Sequence, residues 1–522
     1  MYDYIVVGAG SAGCVLAARL SEDPDVKVAL VEAGGNDDVE NIHIPAVFGD
    51  LFRTRVDWDY DSHEEEQLNR RRIFHPRGKV LGGTSSINAM LYLRNNRIDY
   101  DGWNQPGWSY DDLLPLFKRS EDNERGASEY HGAGGPLSVS DGRSLNPATT
   151  ALVEAALQAG HPANDDFNGP TQDGFGRFQV TQRDGRRWST AQAFLHPALE
   201  RPNLTLIKNY QVYRVLIENG RAIGVTGRQV DDELTLHAER EVILSAGAYN
   251  SPQLLLLSGI GPADQLRGLG MEVVLDHAEV GKNLQDHPLV PLIYEHSQPN
   301  SLLSAFEPES IRAFQEEGRG PLTSNGPEAG GYVRTQPGLP APDVVYFAGP
   351  MEFSDSGLTV PTRHAITFGP VLLTQRSRGQ ITLVAEDPTA KPKIEHRYFT
   401  AEGDIDVAVA GVRIAMDIAS RPAFAKFNER LLNAPASDSD DDLREYVRRY
   451  TNSIFHGSGA CGMGRVVDHE LKVYGVEGLR VADVSVMPTV GRGAPNATAI
   501  VIGEKAADLV RGAQSTPLAK AS

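Results

Sequence analysis

The sequence predicts a mixed α/β fold with an α+β second part, and three observations predict it. The chain opens as an apolar run (residues 4–7), a glycine turn (8–13), a helical stretch (12–20) and a second apolar run (26–31). That order is a βαβ unit. Residues 204–245 then alternate in strand fashion, in runs at 204–207, 212–217, 222–225 and 242–244, with Asn219-Gly220 as a turn between two of them. Residues 288–450 hold most of the proline–glycine breaks, and within them 405–421 spaces its apolar residues by three and four. We read that region as a second unit built on a sheet and helices.

Shorter elements follow the same rules. Residues 111–120 (DDLLPLFKRS) form an amphipathic helix from an acidic cap. Leu254 to Leu257 continue a helix that stops at Ser258-Gly259, and the acidic stretch 436–442 can cap the helix after it. The last ten residues, from Ala513, read as a frayed tail.

Composition bounds the function. The 522 residues correspond to about three domains. With 40% hydrophobic and 23% charged residues, the chain has the make-up of a soluble globular protein. Its 52 glycines exceed the average and point to tight turns and close backbone approaches. A net charge of −19 repels phosphate backbones and anionic lipid, so no nucleic-acid partner is expected. The two cysteines, Cys14 and Cys461, suggest neither a metal site nor a disulfide framework, which fits a reducing compartment. No apolar run approaches the ~18–20 residues of a membrane span. Met1 leads directly into the first strand without a signal-like stretch. A cytoplasmic location with no membrane span is expected.

The strongest local signal is Gly8-x-Gly10-x-x-Gly13 after the first strand. Gly8 permits the turn, Gly10 lets backbone approach a pyrophosphate, and Gly13 lets helix and strand pack closely. The helix N-terminus then offers free N–H groups to negative charge. Glu32 ends the second run nineteen residues after Gly13, where a carboxylate can accept from a ribose diol. A glycine turn alone can be empty of ligand; strand, turn, helix, strand and terminal acid in order make that reading the weaker one.

Three further segments join this motif. They are Gly78-Lys79-Val80-Leu81-Gly82-Gly83-Thr84-Ser85-Ser86-Ile87-Asn88, then Gly247-Ala248-Tyr249-Asn250-Ser251-Pro252 on to Ser258-Gly259-Ile260-Gly261, and Asp483-Val484-Ser485-Val486-Met487-Pro488 with Pro495-Asn496-Ala497-Thr498. Together they closely resemble the glucose–methanol–choline (GMC) oxidoreductase family from residue 3 to about 510, nearest in look to its choline dehydrogenase and choline oxidase branch. The resemblance implies a Rossmann-like FAD-binding domain of discontinuous segments, plus a substrate domain on a large mixed or antiparallel sheet flanked by helices. The expected division is FAD binding at 1–150, 201–287 and, with the catalytic residues, 451–512; substrate binding at 151–200 and 288–450; and a flexible tail at 513–522.

By the same resemblance, Gly8, Gly10, Ser11, Ala12 and Gly13 surround the pyrophosphate. Glu32 and Ala33 meet the adenosine ribose, where Glu32-Ala33-Gly34 favours FAD over NAD. Gly82, Gly83, Asn88 and Ala89 run along the flavin. Val212 meets the adenine, Asp483 lies near the ribityl chain and pyrophosphate, and Ala494 and Pro495 are further cofactor contacts. The cofactor is FAD, expected to be non-covalent because Ile87 stands where choline oxidase carries its flavin-linked histidine. No metal site is expected.

The family places a histidine and a second histidine or asparagine on the flavin's reacting face, and these match His456 and Asn496. A neutral imidazole can accept the hydroxyl proton of an alcohol as hydride leaves its carbon. A carboxamide can hydrogen-bond the developing alkoxide without competing as a base. His456 alone would read as a core histidine; the motif around it carries the catalytic assignment. Phe455 and Glu295 are candidate substrate contacts. Glu295 aligns with the carboxylate that meets choline's cationic head; the other reading is a solvated strand residue.

The chain also departs from the pattern. Gly457 replaces the usual proline after the catalytic histidine, Ala460-Cys461-Gly462 replaces threonine, cysteine and a basic residue, and Thr374 stands where choline oxidase has an extra histidine. Cys461 reads as a small buried residue. His287 is expected to cap a turn, and His75, His196 and His396 to lie in surface loops without chemistry. The implied activity is FAD-dependent oxidation of an alcohol to an aldehyde or ketone by hydride transfer, with His456 as base and oxygen or another acceptor taking the electrons. A flavin-containing hydroxynitrile lyase and a fatty-acid photodecarboxylase are the alternatives on the same fold.

Overall fold

The computed structural model describes residues 1–512. The chain begins with β1 (Tyr2–Val7), α1 (Ser11–Leu20) and β2 (Val28–Val31). β1 and β2 pair in parallel from Tyr4 opposite Val28 to Val7 opposite Val31. Both are apolar and almost wholly buried, as strands in the middle of a parallel sheet are. Strand Leu204–Ile207 joins in parallel outside β2. On the other side lies Asp232–Leu244, whose C-terminal half pairs in parallel with β1 and with Leu479–Val481.

The N-terminal half of Asp232–Leu244 leaves this layer and closes an antiparallel meander with Arg221–Gln229 and Tyr210–Glu218. Asn219 and Gly220, at φ 50° and 79°, make its two-residue turn. The meander strands outrun the apolar runs read from sequence, because their polar residues stay paired while facing solvent.

α1 packs along the C-terminal helix Pro495–Val510. A Cβ on Gly503 would meet the Ala12 carbonyl at 2.6 Å. Ser11 faces Asn496 and Arg19 faces Glu504, so the two helices run parallel with their N-termini side by side.

The second sheet has seven strands and is antiparallel throughout. Its order is Ala329–Val333, Val344–Gly349, Ala365–Leu372, Pro288–Leu289 and Asn452–Ser453, with Leu292–Glu295 also on Ala365–Leu372 and Arg430–Leu431 beyond it. Helices Pro147–Gln158, Asp404–Ala419 and Asp440–Tyr450 cover one face through residues such as Leu152, Val412 and Leu443. The strand period shows which face is which. The Tyr346 hydroxyl donates to Gly411 on the helix side, while the neighbouring Phe347 looks into a cleft.

The expected helices form, with adjusted ends. The first is Tyr110–Ser120, capped by the Ser109 hydroxyl in a capping box with Asp112 rather than by an acid. The spacing over 405–421 becomes Asp404–Ala419. Ser439 caps Asp440–Tyr450 ahead of three aspartates that favour the helix N-terminus. Helix Pro147–Gln158 crosses the expected boundary at 150 and packs with the second sheet. The expected tail at 513–522 lies outside the described residues. Among the described residues, no helix is long and apolar enough to cross a membrane.

Candidate active site

A cleft of about 2140 Å³, open mouth included, is lined by residues from both sheets. Its lining runs from the glycine turn and the start of α1 to the second sheet, long enough for an extended cofactor beside a substrate.

The three motif glycines act differently. Gly8 has φ +102°, and a Cβ there would sit 2.5 Å from the Ser245 carbonyl oxygen. A Cβ on Gly13 would sit 1.9 Å from the Gly8 carbonyl oxygen, so Gly13 packs helix against strand and does not line the cleft. At Gly10 the nearest atom to a Cβ is 3.9 Å away, so its backbone faces open space in the cleft. Gly83 abuts it, since a Cβ there would meet the Gly10 Cα at 2.6 Å. Gly82, at φ +84°, shapes its loop from outside the cleft. Gly10, Ser11 and Ala12 line the cleft at the start of α1, where the first-turn N–H groups have no intrahelical acceptor.

Glu32 and Asp483 anchor this half. Glu32 accepts from the N–H groups of Ala9 (2.9 Å) and Gly34 (2.8 Å). Burial pushes its pKa up to about 7, against the pull of those two bonds. Asp483 accepts from Gly247 N–H (2.9 Å), the Ser251 hydroxyl (2.5 Å) and Ser485 N–H (2.8 Å), and burial raises it as well. Ala33, Asn88, Ala89, Val212, Ala494 and Pro495 also line the cleft. Beneath Asn88 the buried Arg187 donates to Asn88 Oδ1 (3.0 Å) and to the carbonyls of Ser85 and Ile42, fixing the glycine loop from behind. Two abutting glycine loops, a free helix N-terminus, an acid at the end of β2 and open space at Gly10 and Gly247 together fit an FAD.

The other half is built on an irregular loop. Residues 281–287 lie antiparallel to 454–460: Gly281 N–H donates to Ala460, Gln285 and Ser458 exchange bonds of 2.9 Å, and Ile454 N–H donates to His287. Asp286, buried, accepts from the main-chain N–H of His456 (2.7 Å) and from the hydroxyls of Ser453 and Tyr398. Phe455 has φ +69°, a region a phenylalanine rarely enters. The Ser453 hydroxyl accepts from its N–H at 2.6 Å, and the Arg77 guanidinium donates to its carbonyl. A Cβ on residue 457 would lie 2.6 Å from the Tyr249 hydroxyl oxygen, which explains why glycine stands where the family has proline.

The partners of His456 decide its tautomer. His287 Nε2 lies 2.8 Å from the Gly491 carbonyl oxygen, which only accepts, so this nitrogen carries the hydrogen. In a neutral imidazole, Nδ1 is then the acceptor. His287 Nδ1 is 2.8 Å from His456 Nδ1, so His456 donates from Nδ1 and keeps the lone pair on Nε2. Burial holds both neutral, pushing His287 down to about 4 and His456 well below the usual histidine range, with His287 and Arg77 adding to the second shift. His287 is therefore a partner of the predicted base and not a turn cap.

Asn496 lines the same cleft from the first turn of its helix. Its Oδ1 accepts from the Ser11 hydroxyl at 2.6 Å, so what it offers the cleft is its NH₂ donor. Phe455 is at the wall too. Glu295 is not, and this corrects the expectation of a substrate contact. It stands opposite Arg430 on the paired strand, 2.7 Å from its guanidinium, with Arg363 at 3.7 Å. Leu289, two residues after His287, occupies the wall instead. Thr374 is exposed and outside the cleft.

His75 and His396 also correct the sequence reading. Both are buried, stack at 4.4 Å, and share the Tyr249 hydroxyl at 3.2 and 3.1 Å behind Gly457. Burial lowers His396 to about 4. His196 pairs with Asp37 at 3.0 Å and its pKa is raised by that carboxylate. Cys14 and Cys461 are both fully buried in the core around the first sheet. The wall residues Phe48, Phe52, Phe347, Met351 and Phe353 were not legible, since each comes from an aperiodic segment or from a strand with no distinguishing mark.

Comparison with known proteins bears on the whole chain. The N-terminal GMC oxidoreductase family model matches residues 2–289 and the C-terminal one matches 375–503. The chain is similar to the alcohol dehydrogenase [acceptor] of Pseudomonas putida, 40% identical over 527 residues, covering 98% of this chain and 96% of that one. It is similar to the mitochondrial choline dehydrogenase of Homo sapiens, 41% identical over 537 residues, covering 98% and 90%. Among solved structures, pyridoxine 4-oxidase from Mesorbium loti superposes with a TM-score of 0.90 at 28% identity, covering 98% of this chain and 99% of that one.

Proposed function

The chain belongs to the GMC oxidoreductase family, and from that premise and the cleft we propose how it works as an FAD-dependent alcohol oxidoreductase that converts CH–OH to an aldehyde or ketone. The observation that carries the mechanism is a partly buried neutral imidazole with its Nε2 lone pair uncommitted, in the cleft that fits the cofactor.

Gly10, Ser11, Ala12 and the N-terminus of α1 would hold the pyrophosphate, with Gly8 and Gly13 setting the turn. Glu32 and Ala33 would hold the ribose, Val212 the adenine, and Asp483 the chain beyond. Gly83, Asn88, Ala89, Ala494 and Pro495 would flank the ring, with Gly82 shaping their loop. When bound, FAD supplies the acceptor for the hydride that leaves the carbinol carbon. Ile87 is buried at the cleft and offers no nucleophile, which supports non-covalent binding.

In this scheme His456 Nε2 accepts the hydroxyl proton of the substrate. The resulting imidazolium donates from Nδ1 to His287, a bond that strengthens as the charge appears. Asn496, its oxygen held by Ser11, donates from Nδ2 to the substrate oxygen. The FAD-binding unit comprises 1–150, 201–287 and 451–512 and the substrate-binding unit 151–200 and 288–450, with helix Pro147–Gln158 moved to the latter. Whether oxygen or another acceptor takes the electrons is distinguished by assaying peroxide as oxygen is admitted to reduced enzyme.

The test is anaerobic. An alcohol substrate should bleach the flavin absorbance of the purified protein, and His456→Ala should abolish the bleaching while flavin stays bound. Protein that purifies without flavin, or a His456→Ala variant reduced at the wild-type rate, defeats the proposal.

A further inference from the structure

We propose that the alcohol this cleft accepts carries an apolar body and no positive charge; this rests on reading the cleft as an alcohol-oxidising site. The wall contributed by the second sheet and the loops facing it includes Phe48, Phe52, Leu289, Phe347, Met351 and Phe353. Phe52 packs edge-on against Phe455 at 5.8 Å, so the apolar surface continues up to the residue before His456.

The charged side chains that line the cleft are Glu32, Asp483 and Arg77, beside the neutral His456. Neither carboxylate is available to a substrate. Glu32 and Asp483 are bound by main-chain N–H groups and hydroxyls in the nucleotide half. Arg77 donates to the carbonyls of Pro76 (2.5 Å) and Phe455, with its guanidinium 5.6 Å from the Tyr249 ring centre. Glu295 is spent on Arg430. A quaternary ammonium entering this wall would lose its water, meet no free carboxylate and face the Arg77 guanidinium. The phenylalanines offer a cation some attraction through their faces, but phenylalanine is among the weaker aromatic partners for it. An alkyl or aryl body gains from every apolar group it buries.

The test needs only the wild-type holoenzyme and a matched pair. Choline and 3,3-dimethylbutan-1-ol have the same shape and differ by a positive nitrogen in place of a carbon. In anaerobic flavin reduction we expect the neutral alcohol to exceed choline at least 100-fold in second-order rate constant. Along the n-alkanols that constant should climb about fourfold per methylene until the wall is filled. Phe353→Ala should flatten this gradient at its long end. Choline matching or exceeding its isostere, or a flat gradient in wild type, overturns the proposal and leaves the alcohol-oxidising reading intact. No reduction by any alcohol overturns both.

Discussion

His287 offers the sharpest test of the mechanism. Replacing it with leucine keeps the bulk and removes two things: the acceptor for His456 Nδ1–H and the donor to the Gly491 carbonyl. The first loss acts on the reaction, because the Nδ1 bond is made to a neutral ring before proton transfer and to an imidazolium after it. A hydrogen bond to a charged group is worth about 1.5–3 kcal/mol against ~1 for a neutral pair, and an unmatched buried donor costs about 1–3. At 2.8 Å, with the His287 ring fully buried and His456 partly exposed at the cleft, that range applies. His287→Leu should therefore slow flavin reduction by roughly 10–100-fold, at about 1.4 kcal/mol per decade, while substrate affinity changes little. His287→Gln can accept with its carbonyl and donate with its amide, and should recover most of the rate. The assay is anaerobic stopped-flow reduction at saturating substrate across pH. Because burial lowers the pKa of His456, it remains neutral from pH 8 down through pH 6, so the wild-type rate should be flat there. A His287→Leu rate within twofold of wild type, or an acid limb centred at the ordinary histidine value of about 6.5, would refute the reasoning.

Three further outcomes follow. Asn496→Ala removes the donor to the substrate oxygen and should lower the reduction rate about 100-fold, as loss of one oxyanion donor does, with flavin occupancy unchanged in the absorbance spectrum. Gly457→Ala places a Cβ 2.6 Å from the Tyr249 hydroxyl oxygen and 2.9 Å from two carbons of its ring, and should destabilise the holoenzyme by about 1–3 kcal/mol in thermal scans. Acid precipitation should leave FAD in the supernatant with none attached to the protein, because Ile87 offers no group for a link.

Legibility followed the range of the interactions. β1, α1 and β2 were readable because a glycine turn between apolar runs is a local code, and Asn219-Gly220 gave the meander the same way. His287 was not, since its role depends on His456, 169 residues away. His75 and His396 look like loop residues beside proline and arginine; the group that meets both rings, the Tyr249 hydroxyl, comes from far along the chain. Glu295 misled because alignment within a short strand does not reveal the residue opposite, here Arg430. The cleft wall carries no sequence mark at all, since Phe52 and Phe353 are ordinary apolar residues until the two sheets bring them together.

The loop bearing His456 has no helix or strand of its own beyond Asn452–Ser453, yet the chemistry requires a fixed imidazole. Neighbouring residues of one segment solve this. Asp286 holds the main-chain N–H of His456, and His287 holds its ring, while Gln285 pairs with Ser458 two residues on. Position, orientation and tautomer of the base thus come from three consecutive residues, with Arg77 holding the Phe455 carbonyl at the strained turn before it. A shift in the 281–287 segment would displace all three restraints together. Substitutions in that segment should therefore act on the reduction rate more than on substrate affinity.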